Sequence, residues 1–381
     1  MKKIKVLETG FTAPFGKGGM EVMAWEWYEN IDRTKVTIDF MGTALSDEKY
    51  VKYMADNGSK FFLIEKSRNT VIRIIKKINY VRKTARENNY DIVHIHAANA
   101  WMAFQYYIAA KPYCSRIIIH SHSTGIGLDS TKMNAVGKIK FILHKICRHL
   151  MNSKKIIRLC CSETAAEWMF PKKYKAALIK NGIRTSDFVF NEKIRKNVRK
   201  KIGAGNRFVI GHIGRFSYSK NHDFLIDIFE EVYKKNPDSL LLLIGMGALE
   251  DRIKEKVRNA GLEDNVIFYG TSDKVNELYN AMDCFVLPSH FEGLGIVAVE
   301  AQAAGLCALC SDAVPLEAKA TELLEFMPLS ESSLAWAEKI LGYNNSYERR
   351  DMSADIKKEG YDIKTSAKQL EEIYIGCTKK N

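Results

Sequence analysis

Residues Pro288 to Gly305 read P-S-H-F-E-G-L-G-I-V-A-V-E-A-Q-A-A-G. The run before them, Cys284-Phe285-Val286-Leu287, is apolar and short enough for a buried strand, and Ile296 to Ala304 reads as a helix packed inside the fold. Glu292, Gly293, Leu294 and Gly295 lie between, so the stretch predicts a strand, a glycine loop and a helix start. The unpaired N–H groups and positive dipole end of a helix N-terminus bind anions, and glycine lets a phosphate come close to the backbone. Two carboxylates frame the loop, Glu292 on it and Glu300 inside the helix. Glu300 has apolar neighbours on both sides, and carboxylates are rarely buried without partners. Two readings follow: Glu300 and Gln302 share a narrow solvated stripe, or Glu300 accepts hydrogen bonds from sugar hydroxyls.

Working outward, the chain has 381 residues, 46% hydrophobic and 27% charged, enough for two ordinary soluble domains. No apolar run approaches the roughly 18 residues of a spanning helix. The basic start, Met1 to Val6, is followed by an apolar stretch that Glu8 cuts short, which argues against a signal peptide and for a cytoplasmic protein. The eight cysteines fit this. Cys307 and Cys310 have C-x-x-C spacing but fall on a predicted strand, where residues three apart face opposite ways, so both read as reduced thiols rather than a metal or redox pair. The net charge of +13 is uneven: residues 1–190 carry +16 and residues 191–381 carry −3. The basic first half implies an anionic partner, whether nucleic acid, phospholipid or a phosphorylated acceptor.

Ile4 to Leu7 reads as the first strand, Gly16-Lys17-Gly18-Gly19 as a turn and Met20 to Asn30 as a helix. That turn is either a flexible loop or a phosphate site; it is neither a Walker loop nor a dinucleotide fingerprint. Val71 to Arg86 predicts an amphipathic helix with Val71, Ile74, Ile75, Ile78 and Val81 on one face. That face packs on a sheet or lies on an anionic membrane. Lys138 to Met151 is a second basic amphipathic segment. The strands Asp91–His96 and Arg116–Thr124 end in polar residues, and open α/β sheets bind ligands at the carboxyl ends of their strands. By alternation His94 pairs with His96, and His120 with His122. His94 and His120 read as structural, whereas His122 at the strand tip reads as functional. A second strand–helix series begins at Phe208 and continues through Leu240–Ile244, Val266–Tyr269, Cys284–Leu287 and Ala308–Cys310. Two such series predict two doubly wound domains rather than a barrel.

The E-G-x-G…E pattern after a strand ending in P-S resembles the donor-site signature of the retaining glycosyltransferases of family four, which have the GT-B fold. Gly214-Arg215…Lys220 resembles that family's GR…K motif, and Gly245-Met246-Gly247 its G-x-G turn. Ala177 to Ile183 is similar to its interdomain crossing, with Lys180 where proline is usual and Arg184 where aspartate is usual. The resemblance implies two Rossmann-like domains facing across a cleft. Residues 1–182 would bind the acceptor, joined by a C-terminal crossing helix within 362–381, and residues 183–361 would bind the donor. Arg215 and Lys220 would hold the diphosphate, a fork of donors beside a point charge. Glu292 would hold a sugar hydroxyl, Glu300 the ribose, and the backbone N–H groups of Leu294 and Gly295 the phosphate, with Gly293 in the same donor-binding loop. Phe268 and Tyr269 lie where the base packs, and Gly18 and Gly19 complete the donor-binding set. His122, Arg215, Lys220 and Glu292 would serve the reaction. The chain contains no D-x-D, so cations and a helix N-terminus would replace a metal, and no cofactor is expected. Within the family, the G-G-M-E and H-S-H-S-T stretches look most like bacterial capsular and exopolysaccharide transferases. The implied activity moves a hexose or N-acetylhexosamine from a nucleotide sugar, a UDP-sugar first, to a lipid-diphosphate-linked acceptor at the inner membrane face. The alternatives are a transferase using GDP-mannose or acting on a phospholipid, and a nucleic-acid-binding protein, for which the chain carries no motif.

Overall fold

The computed structural model describes residues 3–65, 67–125, 135–344 and 347–378. The chain divides into two compact units. The first contains strands β1 (Ile4–Phe11), β2 (Val36–Gly42), β3 (Phe61–Leu63), β4 (Ile92–Ala97), β5 (Arg116–Ser121), β6 (Ile156–Cys160) and β7 (Ala177–Leu178). Its helices are α1 (Gly19–Asn30), α2 (Glu48–Asp56), α3 (Thr70–Asn88), α4 (Ala100–Ala110), α5 (Ala135–Leu150) and α6 (Glu163–Met169). The second holds β8 (Phe208–Ile213), β9 (Ser239–Ile244), β10 (Val266–Gly270), β11 (Cys284–Leu287), β12 (Cys307–Ser311) and β13 (Leu324–Met327). Around them lie α7 (Glu192–Lys201), α8 (His222–Lys235), α9 (Glu250–Asn259), α10 (Val275–Ala281), α11 (Ile296–Ala303), α12 (Ser333–Leu341) and α13 (Ser353–Lys358). The last helix, α14 (Ile363–Thr378), belongs to the first unit.

Both sheets are parallel throughout. Their strand orders are β3-β2-β1-β4-β5-β6-β7 and β10-β9-β8-β11-β12-β13. Each runs outward one way from its first strand and then the other, so each has a switch point, between β1 and β4 and between β8 and β11. Helices cover both faces, which is why β9 (S-L-L-L-L-I) is apolar at every position but its first and fully buried. In the second unit α7, α10 and α11 pack on one face and α8, α9 and α12 on the other. In the first, α1 and α14 share one face, and α3, α4 and α5 the other.

Several expectations change in detail. The strand from Arg116 ends at Ser121, which leaves His122 just beyond it. Helix α4 and the edge strands β3, β7 and β13 were not foreseen; β7 has only two residues, too few for a periodicity to register. The predicted packing face of α3 is only partly used. Val81 is buried, but Val71 and Ile75 are 64% and 54% exposed. The 19 residues of α3 span about 28 Å against about 20 Å for a six-residue strand, so its first turns overhang the sheet. Helix α5 buries Gly137, His144 and Cys147, and turns Val136, Ile139, Ile142, Ile146 and Leu150 to solvent. Cys307 and Cys310 lie on opposite faces of β12, and all eight cysteines are free.

Glycines set the closest approaches. Gly245 has φ 139°, and a Cβ there would lie 2.1 Å from the Gly214 carbonyl oxygen. At Gly247 a Cβ would lie 2.4 Å from that of Phe216. The loops after β8 and β9 therefore touch backbone to backbone. Replacing Gly245 by Ala will destabilise the second unit by about 2–5 kcal/mol, combining left-handed strain with overpacking. Gly19→Ala, where a Cβ meets nothing within 4 Å, will change stability by less than about 1 kcal/mol. Urea midpoints of the two variants check this.

Candidate functional site

In the second unit the loops after β8 and β11 meet at the switch point. Gly214 donates its N–H to Ile244 O at 2.9 Å and has no side chain, so the stem of Lys220 crosses over it; a Cβ would lie 2.9 Å from Lys220 Cδ. Lys220 ends a 3₁₀ turn, Tyr218–Lys220, which Asn221 closes at φ 54°. The Lys220 Nζ reaches Glu292 Oε1 at 2.6 Å, with side chains only 15% and 13% exposed. Ser289 Oγ donates to the same carboxylate oxygen at 2.6 Å, and Ser311 Oγ donates to Ser289 O at 2.6 Å. His290 N–H donates to Ser219 O at 2.8 Å, and the Tyr218 and His290 rings stack at 4.4 Å. These contacts hold the two loops as one wall.

Gly295, at φ 83°, opens α11, and its carbonyl accepts from the Ala298 N–H at 2.8 Å, which tightens the first turn. Leu294 is buried and anchors the loop, while Gly293 beside it is half-buried. Glu300 is half-buried, and Tyr279 Oη donates to its Oε2 at 2.8 Å and also lies 2.9 Å from Val297 O. Burial, and then the Glu300 charge, raises the Tyr279 hydroxyl well above its ordinary pKa, so it stays a donor. The solvated stripe shared with Gln302 is overturned. Gln302 is fully buried, donates to Ala298 O and Ala318 O, and accepts from Ala320 N–H and Thr321 N–H. Arg215 is exposed, and its guanidinium makes no hydrogen bond or ion pair among the described residues. Phe268 and Tyr269 point to opposite faces of the sheet. The first stacks on Phe216 at 5.9 Å and the second accepts from Lys201 at 3.4 Å, so only one of the two side chains can line any one pocket.

In the first unit Gly18 caps α1 and Gly19 begins it. A carboxylate already sits at this helix start: buried Glu21 accepts from Thr12 N–H at 2.8 Å and Ala13 N–H at 2.9 Å through Oε1. Its Oε2 would lie 2.0 Å from a Cβ on Gly18. An anion entering this turn has to compete with that carboxylate.

The histidines form a larger assembly than their spacing suggested. His96 pairs in register with His120, so His94, His96, His120 and His122 project from the same face. Fully buried Glu8, on β1, lies beneath them. His96 Nε2 is 3.2 Å from Glu8 Oε2, and His96 Nδ1 is 3.0 Å from His122 Nε2. Tyr374 Oη of α14 donates to Glu8 Oε1 at 2.7 Å and lies 2.6 Å from His94 Nδ1; His94 Nε2 is 3.3 Å from His120 Nδ1. The rings of His94, His96 and His120 offer nitrogens within 4.8 Å of one another, a spacing a metal ion could use. Hydrogen bonds already engage every one of these nitrogens except His120 Nε2. Burial, and then neighbouring imidazoles, holds His94, His120 and His122 well below the usual histidine range, so they are neutral near pH 7.

Sequence reading missed Glu8, Tyr374, Glu21, Ser289 and Tyr279. Glu8 did carry a signal, a carboxylate in the middle of an apolar strand. The others act through contacts that only the folded chain creates.

The first half, residues 17–187, matches the family model described as Glycosyltransferase Family 4, and residues 194–355 match the one described as Glycosyl transferases group 1. The chain is similar to a putative glycosyltransferase, EpsF, of Bacillus subtilis, 28% identical over 377 residues, covering 96% of this chain and 95% of that one. It is also similar to the UDP-Gal:alpha-D-GlcNAc-diphosphoundecaprenol alpha-1,3-galactosyltransferase of Escherichia coli, 26% identical over 272 residues and 68% of each chain. Among solved structures, Anabaena HepE in complex with UDP-glucose shares the fold at a TM-score of 0.75 and 18% identity, over 98% of this chain and 100% of that one.

Six histidines, His94, His120, His122, His144, His212 and His222, have folded pKa values below the ordinary one and make stability depend on acid. In the second unit burial lowers His212 to about 3 and His222 to about 2. Their folded pKa values, like those of the other four, lie below the unfolded value of about 6.5. The stabilisation is therefore complete above about pH 6.5 and is lost as pH falls from there toward the folded values. Urea midpoints will be level between pH 7 and 8 and will drop steadily from pH 6.5 to 5.

Proposed function

We propose that this chain, which belongs to the family 4 glycosyltransferases of GT-B fold, moves a hexose or N-acetylhexosamine from a UDP-sugar to a lipid-diphosphate-linked acceptor. The configuration at the anomeric carbon is retained and no metal is required. The observation that carries this reading is the Lys220–Glu292 pair beside the glycine-opened start of α11, at the switch point of the second unit. Lys220 and Arg215 neutralise the departing diphosphate, and the N–H groups around Leu294 and Gly295 add hydrogen bonds. Glu292 accepts from a hydroxyl of the transferred sugar, and Glu300, steadied by Tyr279, accepts from the ribose hydroxyls. Neutral His122 accepts from a substrate hydroxyl. With two cations and a helix start at hand, and no D-x-D in the chain, charge neutralisation does not call for a divalent ion. The UDP-sugar donor and diphosphate-lipid acceptor named for the E. coli relative support the substrate classes, and EpsF, named a putative glycosyltransferase, supports the sugar-transfer activity over nearly the whole chain.

A lipid-linked acceptor implies contact with a membrane. Among the described residues no helix is long and apolar enough to cross one. Helix α5 instead presents Ile139, Ile142, Ile146 and Leu150 to solvent, each more than half exposed, beside Lys138, Lys140 and Lys145. The overhanging start of α3 adds Val71, Ile72 and Ile75 with Arg73 and Lys76, and both helices flank α4 in the same layer. An apolar stripe bordered by cations suits the surface of an anionic inner membrane.

Calorimetry with UDP, GDP and ADP in the presence of EDTA tests the donor reading. UDP will bind, and Glu300→Ala will weaken it roughly tenfold or more, the loss of one or two hydrogen bonds to a charged group. GDP preference would move the assignment to a mannosyltransferase, and no nucleotide binding by folded protein would sink it. In sedimentation with phosphatidylglycerol vesicles, Ile142→Glu with Ile146→Glu will release most of the protein while leaving UDP affinity unchanged.

A further inference from the structure

The buried polar network of the first unit has a direction, which follows from what each atom can donate. As a carboxylate, Glu8 can only accept. His96 therefore carries its proton on Nε2, 3.2 Å from Glu8 Oε2, and offers a lone pair at Nδ1. His122 must then donate from Nε2 across 3.0 Å to His96 Nδ1, which leaves the lone pair of His122 on Nδ1. The other branch is consistent. Tyr374 gives its one proton to Glu8 Oε1, so it accepts from His94 Nδ1–H, and His94 Nε2 accepts from His120 Nδ1–H. The chain then ends on His120 Nε2, the one ring nitrogen of the three buried histidines without a partner among the described residues, as a bare lone pair. The opposite direction would bury an unpartnered N–H there.

We propose that Glu8 and His96, with Tyr374 holding the other oxygen of Glu8, form a positioning relay in which the Glu8–His96 bond fixes the tautomer and the ring orientation of His122, so that its Nδ1 is presented as the hydrogen-bond acceptor for a substrate hydroxyl. The relay rests on the reading of His122 as a substrate-contacting group. The packing supports it. Glu8, His94, His96 and His120 are all at most 1% exposed, Tyr374 is fully buried, and the His94 and His120 rings stack at 5.4 Å with 7° between their planes. Trp27 stacks on His120 at 5.5 Å and Phe11 lies 5.0 Å from His96, so the rings have little freedom to turn. Burial keeps His122 neutral, the state in which a lone pair exists. A hydrogen bond passed from an anion through one imidazole to the next also enriches the terminal nitrogen, because linked hydrogen bonds polarise one another.

Glu8→Gln is nearly isosteric and inverts the chain. The Gln carbonyl oxygen keeps Tyr374, while its NH₂ faces His96 Nε2. The His96 proton then moves to Nδ1 and that of His122 to Nδ1 as well. The experiment uses the full-length protein labelled with ¹⁵N-histidine, with the His122 signals identified by their loss in His122→Gln. Wild type will show His122 protonated on Nε2, and Glu8→Gln will show it protonated on Nδ1. UDP affinity will stay within about twofold, and kcat for sugar transfer will fall roughly 100-fold, the scale of a misdirected general acid–base or hydrogen-bonding imidazole. His122 protonated on Nδ1 in wild type, an unchanged tautomer in Glu8→Gln, or an inverted tautomer with unchanged kcat would each overturn the proposal. If Glu8→Gln does not fold, the wild-type spectrum still decides the direction of the relay. Tyr374→Phe, which leaves the Glu8–His96 bond in place, will then keep the wild-type tautomer and lose less than about tenfold in kcat. If wild type transfers no sugar from any UDP-sugar, the substrate assignment fails while the spectra still judge the relay.

Discussion

The pairing of Lys220 with Glu292 depends on the order of the sheet. Two charged groups, each mostly shielded from water, need a partner of opposite sign, because an isolated ion there loses hydration that nothing replaces. The partner comes from a loop 72 residues away in sequence, adjacent because β8 and β11 are neighbours on either side of the switch point. The surrounding details serve the same juxtaposition. Gly214 gives the lysine stem room to cross, Gly245 lets the next loop press against it, and Ser289 and Ser311 hold the glutamate from below. A cation, a carboxylate and a helix start are thus fixed side by side by the fold itself, the pre-organisation that the proposed sugar transfer would require.

Much of this was legible in the sequence, and the part that was not has a common cause. Strand–glycine–helix punctuation is local, so β1, β8 and β11, the loop at Gly293 and Gly295, and the GR…K spacing could be read directly. The pairing of His94 with His96 followed from the two-residue period of a strand. That all four histidines share one face required the register between β4 and β5, which no local pattern encodes. Glu8 was visible as an anomaly, but its meaning depended on Tyr374, 366 residues away. Gln302 misled for the same reason. A polar residue next to Glu300 suggests a wet stripe, but its hydrogen bonds go to the turn around Ala318 and Thr321, which fills every polar atom of the amide without water.

The two amphipathic helices of the first unit illustrate a different limit. Periodicity locates an apolar face and says nothing about what covers it. In α3 and α5 the buried face combines Val81 and Cys147 with small or polar residues, Gly137, Thr84, Ala85 and His144, while Val71, Ile72, Ile75, Ile139, Ile142 and Ile146 point outward. His144 has an internal task, since its Nδ1 accepts from Ala100 N–H at the start of α4 and its ring stacks on Trp168 at 3.9 Å. Lys76 on α3 and Lys138, Lys140 and Lys145 on α5 border the outward stripe, so part of the first half's positive charge coincides with exposed apolar surface on one layer of one unit.

Helix α14 lies at the end of the chain and completes the unit that the start of the chain begins. It packs on α1, its Ser366 accepts from the Trp27 indole N–H, its Glu371 binds Lys35, and its Tyr374 supplies a proton to Glu8. On a ribosome, which releases the chain from its N-terminus, this reverses the usual sequence of events. The second unit is complete in sequence once residue 361 has emerged, whereas the first waits for residues made about 180 positions after its last internal strand, with a buried carboxylate still lacking its tyrosine. The half that emerges first is therefore the half that finishes last. A nascent chain halted before residue 363 would carry a finished second unit joined to an unfinished first one, with the apolar face of α1 open to whatever binds exposed hydrophobic surface.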